Sequence, residues 1–330
     1  MTDNAEMLLF ALNTSRGFGE HVAAGLDIEL SEHEEREFED GEHKSRSLIN
    51  VRNRDVYVIQ SLYTDADLSV NDKLVRLLFF LGSLRDASAG HVTAIVPYLG
   101  YARKDRKSKS RDPVTTRYVA QLFEAVGTGR LVTIDVHNLA AFQNAFRIRT
   151  EHLEANKLFV EHFAQQLAGE KNIAVISPDA GGVKRAQAFR DALARVTNQD
   201  ISLGLMEKTR SAGLLTAGQL YCDVEDRVAL IIDDMISTGG TLSFAAHAAK
   251  AQGARQVYAA ATHGVFLEAA NRVLATDDLD GVITTDTVPP IRLDPQLALH
   301  KLTQLPAAGL FAEAIRRLHN GGSIVELLEI

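Results

Sequence analysis

The stretch ALIIDDMISTGGT, residues 229–241, decides the fold, because it joins an apolar run to two acids and then to hydroxyls and glycines. The apolar residues predict a buried strand, so Asp233 and Asp234 should emerge at its carboxyl end. Open α/β sheets bind their ligands at that end. Thr238–Thr241 then predicts the start of a helix that runs to about Gly253.

The chemistry of this stretch points to a sugar phosphate. Glycines let backbone N–H groups converge on an anion, and a helix N-terminus adds a favourable dipole. Carboxylates repel the same anion, so Asp233 and Asp234 are better suited to neutral hydroxyls or a cation. Phosphate in the STGGT loop (237–241) and vicinal hydroxyls on the acids satisfy both demands. An N-capped helix after a surface acidic pair remains the simpler alternative.

Outward from this stretch, short apolar runs alternate with longer helical ones. Continuous apolar runs are typical of parallel strands that are covered on both faces. Alternating β and α segments predict parallel sheets, and nine strands suggest two of them. The pattern is weakest at 149–157, which predicts the domain boundary. The predicted strands are 7–12, 55–61, 92–98, 130–136, 172–178, 201–207, 228–233, 256–262 and 281–287.

The two halves of the chain echo one another. IVPYLGYARKDRK followed by LVTIDVHN resembles VISPDAGGVKRA followed by ALIIDDMI in order and spacing. Each half has a strand that ends in a loop, then a helix, then a strand that ends in a polar cluster. This echo favours two related domains, although any two βαβ stretches share some likeness.

Composition and charge exclude several classes of protein. The 330 residues carry a net charge of −8, which disfavours nucleic acid and anionic membranes as partners. Cys222 is the one cysteine, so no disulfide framework is possible, and no HExxH or cysteine cluster suggests zinc. No stretch is long enough for a membrane span, and no signal peptide is evident. We therefore expect a soluble cytoplasmic protein. RGFGEHV lacks the third Rossmann glycine, and no GxxxxGK[ST] motif occurs.

Taken together, the motifs resemble ribose-phosphate pyrophosphokinases, which are built on the phosphoribosyltransferase fold. The resemblance covers nearly the whole chain and rests, beside 229–241, on FEDGE (38–42), NDKL (71–74), PYLGYARKDRK (97–107), DVHN (135–138), SPDAGGVKRA (177–186), THGVF (262–266) and HNGGSI (319–324). It implies an α/β fold of two phosphoribosyltransferase-type domains, 1–150 on the ATP side and 151–330 on the ribose 5-phosphate side. The final helix, 307–330, would pack on the N-terminal domain.

The resemblance also implies a reaction and its participants. The anomeric hydroxyl of ribose 5-phosphate attacks the β-phosphorus of ATP, which gives PRPP and AMP. Such a transfer needs alignment of donor and acceptor and neutralisation of spreading negative charge. Mg²⁺ is the implied cofactor, and the implied assembly is a homo-oligomer of dimers that form a hexamer.

Site residues are implied motif by motif. The catalytic pair would be Lys208 and Arg210, in a loop that closes over the transferring diphosphate. The ATP-binding residues would be Arg103, Lys104 and Asp105, with Phe38, Asp40 and Glu42 from a neighbouring subunit. Ribose 5-phosphate would bind at Asp233, Asp234, Ser237, Thr238, Gly239, Gly240 and Thr241. The pyrophosphate loop, here the DAGG loop, would be Asp179, Ala180, Gly181 and Gly182. His137 and Asp179 are the implied metal residues.

The residue types suit these roles. Arginine can stack on a base and also bond phosphate bidentately, and a carboxylate with phosphate oxygens and waters is the usual Mg²⁺ arrangement. His137 is a poor Mg²⁺ ligand, so we expect it to act mainly on phosphate. Structural alternatives stay open: a core aromatic for Phe38, a surface hairpin for Lys208 and Arg210, a plain turn for Gly181 and Gly182, and a hydrogen-bonded structural residue for His137.

Three features depart from the family pattern. Lys104 stands where glutamine is usual, Ser237 where aspartate is common, and NLAAFQNAF (138–146) replaces a Q-x-Q-G-F-F pattern near regulatory sites. These departures leave effector responses open. They also keep two alternatives, a non-catalytic regulatory relative and, less favoured, a base-specific phosphoribosyltransferase. A DNA-binding repressor on this fold would need an extra helix-turn-helix, for which the chain has no spare length.

Overall fold

The computed structural model describes residues 6–211 and 214–330, and no side chain is described for 208–211 and 214–217. The described chain divides into two compact units. The first comprises residues up to Glu154 together with Ala307–Glu329, and the second comprises Ala155–Pro306 with Ile330. No helix among the described residues is long and apolar enough to span a membrane.

The first unit is built around a five-stranded parallel sheet. Its strands are β1 (Met7–Ala11), β2 (His33–Glu37), β3 (His43–Ser47), β4 (Asp55–Ile59), β5 (His91–Ile95), β6 (Arg130–Ile134) and β7 (Arg149–Leu153). Its helices are α1 (Arg16–Leu26), α2 (Val70–Asp86), α3 (Thr115–Ala125) and α4 (Leu139–Ala145), with a 3-10 turn at Asn13–Ser15. The parallel order is β1-β4-β5-β6-β7, and β2 and β3 form a separate antiparallel hairpin.

The second unit carries a seven-stranded sheet. Its strands are β8 (Ile173–Ser177), β9 (Ser202–Ser211), β10 (Leu214–Tyr221), β11 (Val228–Ile236), β12 (Gln256–Gly264), β13 (Gly281–Thr285) and β14 (Leu302–Leu305). Its helices are α5 (Asn156–Gln166), α6 (Val183–Thr197), α7 (Gly240–Ala251), α8 (Ala270–Leu274) and α9 (Pro295–Lys301), and α10 (Ala308–Asn320) and α11 (Ile324–Leu328) follow in the terminal part of the first unit. The order is β10-β9-β8-β11-β12-β13-β14, with all neighbours parallel except β9 and β10.

All nine predicted strands are present, and the α/β class is confirmed. Five further strands were not predicted: β2, β3, β7, β10 and β14. Strands β2 and β3 read HEERE and HKSRS, so they contain no apolar residue that could signal a strand. Strand β7 lies across the boundary expected at residue 150 and pairs with β6, so the first unit continues to Glu154.

Three strands extend past their predicted ends, and one of them, β12, continues to Gly264. Strand β11 continues to Ile236 because β12 offers ladder partners as far as Gly264. Strand β9 continues through Lys208 and Arg210 to Ser211, and it pairs with β10 as an antiparallel hairpin. The loop expected at these two basic residues is therefore a strand.

Candidate functional site

The acids of the opening stretch lie where β11 loses one of its neighbours. Strand β8 pairs with β11 only from Val228 to Ile231, while β12 pairs with it as far as Ile236. Asp233 and Asp234 are therefore still in strand conformation, on a part of β11 that β8 no longer flanks. Asp234 is almost fully buried, and about a quarter of the Asp233 side chain is exposed. These two residues are called the acidic pair below.

A cation that the sequence did not single out faces the acidic pair. The Nη1 atom of Arg185, in the first turn of α6, lies 3.5 Å from Oδ1 of Asp233 and 3.5 Å from Oδ1 of Asp234. Burial and the neighbouring Asp234 carboxylate raise the pKa of Asp233, and Arg185 opposes that shift. The signal for Arg185 is its position in PDAGGVKRA, three residues after Gly182.

The DAGG loop connects β8 to α6 and closes on its own aspartate. Oδ1 of Asp179 accepts hydrogen bonds from the backbone N–H groups of Gly181 at 3.0 Å and Gly182 at 3.1 Å. The Ser177 hydroxyl donates to the Asp179 carbonyl at 2.7 Å. A Cβ at Gly182 would lie 3.0 Å from the Ser177 Oγ, so the turn has little room for a larger residue.

The STGGT loop leads from β11 into α7, as the sequence predicted. Gly239 has φ +77°, a left-handed conformation, and a Cβ there would lie 3.1 Å from Val273 on α8. The N–H groups of Phe266 and Leu267 donate to the carbonyls of Ile236 and Ser237, both at 2.9 Å. The THGVF segment (262–266), which spans the end of β12, and Leu267 directly after it therefore hold the end of β11 and the start of the STGGT loop.

In the first unit, the basic loop (102–112) follows β5 and is tied down at two points. The Lys104 amine lies 2.5 Å from Oδ2 of Asp112, and the Asn138 amide donates to Asp105 at 2.6 Å. The second bond brings the ARKD segment beside DVHN, where His137 is exposed. Arg103 is also exposed. The hydrogen bond from Lys104 keeps the pKa of Asp112 low.

The NDKL motif supports the start of this loop. A capping box at Ser69 and Asp72 begins α2, and the Tyr101 hydroxyl donates to the Asn71 side chain. Tyr101 itself has φ +66°, which is uncommon for a residue with a side chain. The motif therefore positions the basic loop and does not lie in its exposed part.

The turn between β2 and β3 presents the FEDGE residues. The N–H of Phe38 donates to the Glu42 carbonyl at 2.8 Å, and the Glu42 N–H donates to Asp40 at 3.1 Å. Phe38, Asp40 and Glu42 are exposed, and the Arg36 guanidinium lies 5.3 Å from the centre of the Phe38 ring. Phe38 is therefore an exposed aromatic residue at a turn, and the core alternative for it is wrong.

Some predicted site residues are not brought together by contacts that the structure describes. His137 lies in the first unit and Asp179 in the second. Lys208 and Arg210 are described as backbone in β9, but their side chains lie outside the described part of the chain. No group of three or more His, Cys, Asp or Glu side chains among the described residues is arranged to hold a metal ion.

Comparisons with known proteins identify the family of the chain. Residues 7–127 match a family profile described as the N-terminal domain of ribose phosphate pyrophosphokinase, and 208–329 match one described as a phosphoribosyl synthetase-associated domain. The chain is 38% identical over 322 residues to a ribose-phosphate pyrophosphokinase of Pasteurella multocida, covering 97% of this chain and 98% of that protein. A Vibrio vulnificus protein of the same name is 39% identical with the same coverage.

A solved structure extends the likeness to the whole fold. The crystal structure of phosphoribosylpyrophosphate synthetase from Mycobacterium smegmatis superposes with a TM-score of 0.86 at 33% sequence identity. The match covers 96% of this chain and all of that chain.

Proposed function

The chain belongs to the ribose-phosphate pyrophosphokinase family, and we propose how its residues divide the work of that enzyme. The activity is transfer of the diphosphoryl group of ATP to the anomeric hydroxyl of ribose 5-phosphate, which forms PRPP and AMP for nucleotide biosynthesis. The observation that carries the assignment of residues is the acidic pair, which lies on β11 immediately before the STGGT loop.

Ribose 5-phosphate binds to the second unit in this proposal. Its vicinal hydroxyls donate to the carboxylates of Asp233 and Asp234. Its phosphate binds to the STGGT loop, which comprises Ser237, Thr238, Gly239, Gly240 and Thr241. The left-handed Gly239 and the start of α7 favour an anion there, because backbone N–H groups at a helix N-terminus are unpaired within the helix. The DAGG loop, Asp179–Gly182, takes the diphosphate.

ATP binds to the first unit in this proposal. Arg103 and Asp105 lie on the exposed basic loop, and Lys104 supplies a further positive charge whose carboxylate partner, Asp112, is in the same loop. Phe38, Asp40 and Glu42 would meet the adenine from a neighbouring subunit, the ring by stacking and the carboxylates at the edge of the base. Their exposure on a projecting turn supports that role.

Phosphoryl transfer of this kind needs a metal ion, and we propose Mg²⁺. Mg²⁺ keeps several waters and binds through one or two carboxylates plus substrate phosphates, so a single carboxylate such as Asp179 fits it. The bound ion would neutralise charge on the phosphate oxygens. His137, exposed beside Asp105 and Asn138, would contact phosphate directly or through water.

Lys208 and Arg210 are proposed as the catalytic pair on the β9–β10 hairpin. Both residues belong to β9, whose backbone pairs with β10. Positive charges aimed at oxygens that gain charge in the transition state contribute about 3–4 kcal/mol each.

The assembly is also a proposal. Nucleotide-binding residues on an exposed turn can complete the ATP site of a second copy of the chain. We therefore propose a homo-oligomer of dimers that form a hexamer. The first unit would be the ATP side and the second the ribose 5-phosphate side. A cytoplasmic location stays a prediction.

One assay tests the proposal. The protein is incubated with Mg²⁺, ATP and ribose 5-phosphate, and AMP and PRPP are measured across phosphate and salt concentrations. Formation of both products in equal amounts is expected, and Asp234→Asn should raise the KM for ribose 5-phosphate with little effect on that for ATP. If no product forms under any condition, the chain is a regulatory relative.

A further inference from the structure

Arg185 is held by the acidic pair, but loosely. Both ion pairs measure 3.5 Å, which is longer than the roughly 2.7–2.9 Å of a strong charged hydrogen bond. A guanidinium has five N–H donors, and these two contacts are made by Nη1 alone. About a quarter of the Arg185 side chain is exposed. The geometry therefore allows Arg185 to change partners without breaking a bidentate pair.

The position of Arg185 joins two parts of the site. It is the third residue of α6, which follows the DAGG loop, and Nη1 is 3.7 Å from the point where a Cβ of Gly182 would sit. On its other side is the acidic pair. The DAGG loop, Arg185 and the acidic pair all belong to the second unit.

The chemistry of the substrate puts the reacting group at this point. The anomeric carbon is bonded to the carbon that bears one of the two diol hydroxyls. When the carboxylates hold that diol, the phosphoryl group on the anomeric oxygen must come close to the same carboxylates. Two carboxylates and a phosphoryl group would repel each other unless a cation lies between them.

On the basis of the proposed function, we propose that Arg185 is a catalytic cation that leaves the acidic pair for the transferring diphosphoryl group once ribose takes the pair. The anomeric oxygen bonds to the β-phosphorus, and the bond from that phosphorus to the bridging oxygen of the α-phosphate breaks. The electron pair leaves with AMP, and the hydroxyl proton goes to water. Arg185 neutralises charge on the non-bridging oxygens of the β-phosphate as this happens.

A role for Arg185 as a counterion alone would give different kinetics. If it were only a counterion for the acidic pair, its loss would raise the pKa of Asp233 further and weaken ribose 5-phosphate binding. Turnover at saturating substrate would then be unchanged, because an interaction lost equally in ground and transition states changes KM and not kcat. The split between kcat and KM therefore separates the two roles.

The test compares Arg185→Gln and Arg185→Lys with Lys184→Gln, which removes the same charge from the neighbouring, exposed residue. We expect Arg185→Gln to lower kcat by roughly 10²–10³ at saturating substrates, and Arg185→Lys to lower it less. Lys184→Gln should stay within about threefold of the wild type. Calorimetric titration of each variant with ribose 5-phosphate shows whether the site is still folded.

Each outcome decides the inference. A kcat for Arg185→Gln within about threefold of wild type, with a raised KM alone, overturns it. An equal loss in Lys184→Gln overturns it too, because the effect would then be one of general charge. Absence of AMP and PRPP from the wild-type protein would reject the proposed function and, with it, this inference.

Discussion

At the scale of single residues, Asp233 has conflicting demands on its charge. Burial, and then the carboxylate of Asp234, raise its pKa, while Arg185 lowers it. A carboxylate can accept hydrogen bonds from two hydroxyls. A protonated carboxyl accepts fewer, because one of its oxygens carries the proton. Asp233 therefore serves ligand binding at a cost to the stability of the folded protein.

We expect ribose 5-phosphate binding to weaken as pH falls, because protonation of Asp233 removes an acceptor for the diol. The folded pKa is raised above the unfolded value, so the group's contribution to stability is fully present below the unfolded pKa. It is lost as pH rises through the folded pKa. Asp233→Asn should therefore bind the sugar poorly at every pH but melt at or above the wild-type temperature at pH 9.

Calorimetry and thermal melts at pH 6 and pH 9 check this prediction. Glu225→Gln, at an exposed carboxylate in the same unit, is the control and should change neither quantity. A binding constant that is independent of pH in the wild-type protein would contradict the assignment of Asp233.

Lys208 is predicted to act on the transition state. Lys208→Ala should lower kcat by roughly 10²–10⁴ with little change in the KM for ATP, because the lost donor meets charge that develops during transfer. Lys171→Ala, an exposed lysine before β8, is the matched control. Steady-state kinetics with each substrate varied at saturating levels of the other make the measurement, and near-normal turnover would remove Lys208 from the mechanism.

At the scale of elements, the β2–β3 hairpin is held to the first unit by polar contacts. Glu35 accepts from the Asn13 N–H at 2.6 Å and pairs with His33 at 3.0 Å and His43 at 3.3 Å, and all three side chains are nearly buried. Burial would raise the pKa of Glu35, but the hydrogen bonds from His33 and Asn13 outweigh it and lower that pKa. Burial, reinforced by the charge of Arg76, lowers the pKa of His43.

Because Glu35 links β2, β3 and the 3-10 turn that follows β1, it should fix the direction of the turn that carries Phe38. We expect Glu35→Gln to raise the KM for ATP by roughly tenfold, about 1.4 kcal/mol, and to leave kcat nearly unchanged. Glu34→Gln is the control, since Glu34 pairs only with Arg46 among the described residues, on the solvent side. An exposed pair of this kind contributes about 0–1 kcal/mol. Equal effects of the two substitutions on ATP would contradict the role of Glu35.

The carboxyl end of β12 offers a test of how the STGGT loop is held. A Cβ at Gly264 would lie 2.4 Å from the ring of Phe266, which is fully buried and has φ +39°. Gly264→Ala should displace the N–H groups that hold Ile236 and Ser237, raising the KM for ribose 5-phosphate about tenfold and costing about 1–3 kcal/mol of stability. Kinetics and chemical denaturation measure the two effects.

Gly17→Ala is the matched control, because no heavy atom lies within 4 Å of a Cβ at that exposed position on α1. It should be neutral or stabilising by about 0.4–1 kcal/mol. If Gly264→Ala destabilised the protein without changing the KM for ribose 5-phosphate, the THGVF segment would not position the loop.

These elements also show what the sequence could predict. Buried parallel strands such as β8, β11 and β12 were evident as apolar runs, because both of their faces are covered. The β2–β3 hairpin was not, because charge pairs and imidazoles replace apolar contacts along it. Arg185 was missed for a related reason: its role depends on the acidic pair, 48 residues away in sequence for Asp233, and only the folded sheet brings them together.

At the scale of the whole molecule, the chain returns to its first unit at the end. After the second unit, α10 packs on α1, where the rings of Phe311 and Phe18 meet edge to face at 5.6 Å. The Arg316 side chain donates to the Gly25 carbonyl, and His319 lies 2.7 Å from Asp55 at the start of β4. Residues near the C-terminus therefore complete a core whose strands come from the first half of the chain.

Phe311→Ala should consequently weaken the first unit and spare the second. Phe311 is fully buried, and truncation of a buried phenylalanine costs about 3–5 kcal/mol. Hydrogen exchange followed by mass spectrometry should show lost protection in β1, α1 and β4 but not in β8 and β11, and calorimetric binding of ribose 5-phosphate should persist. Val325→Ala, at an exposed residue of α11 in the same terminal segment, should change neither. Equal loss of protection in both units would mean that they unfold as one cooperative body, so the terminal segment would then stabilise the entire chain.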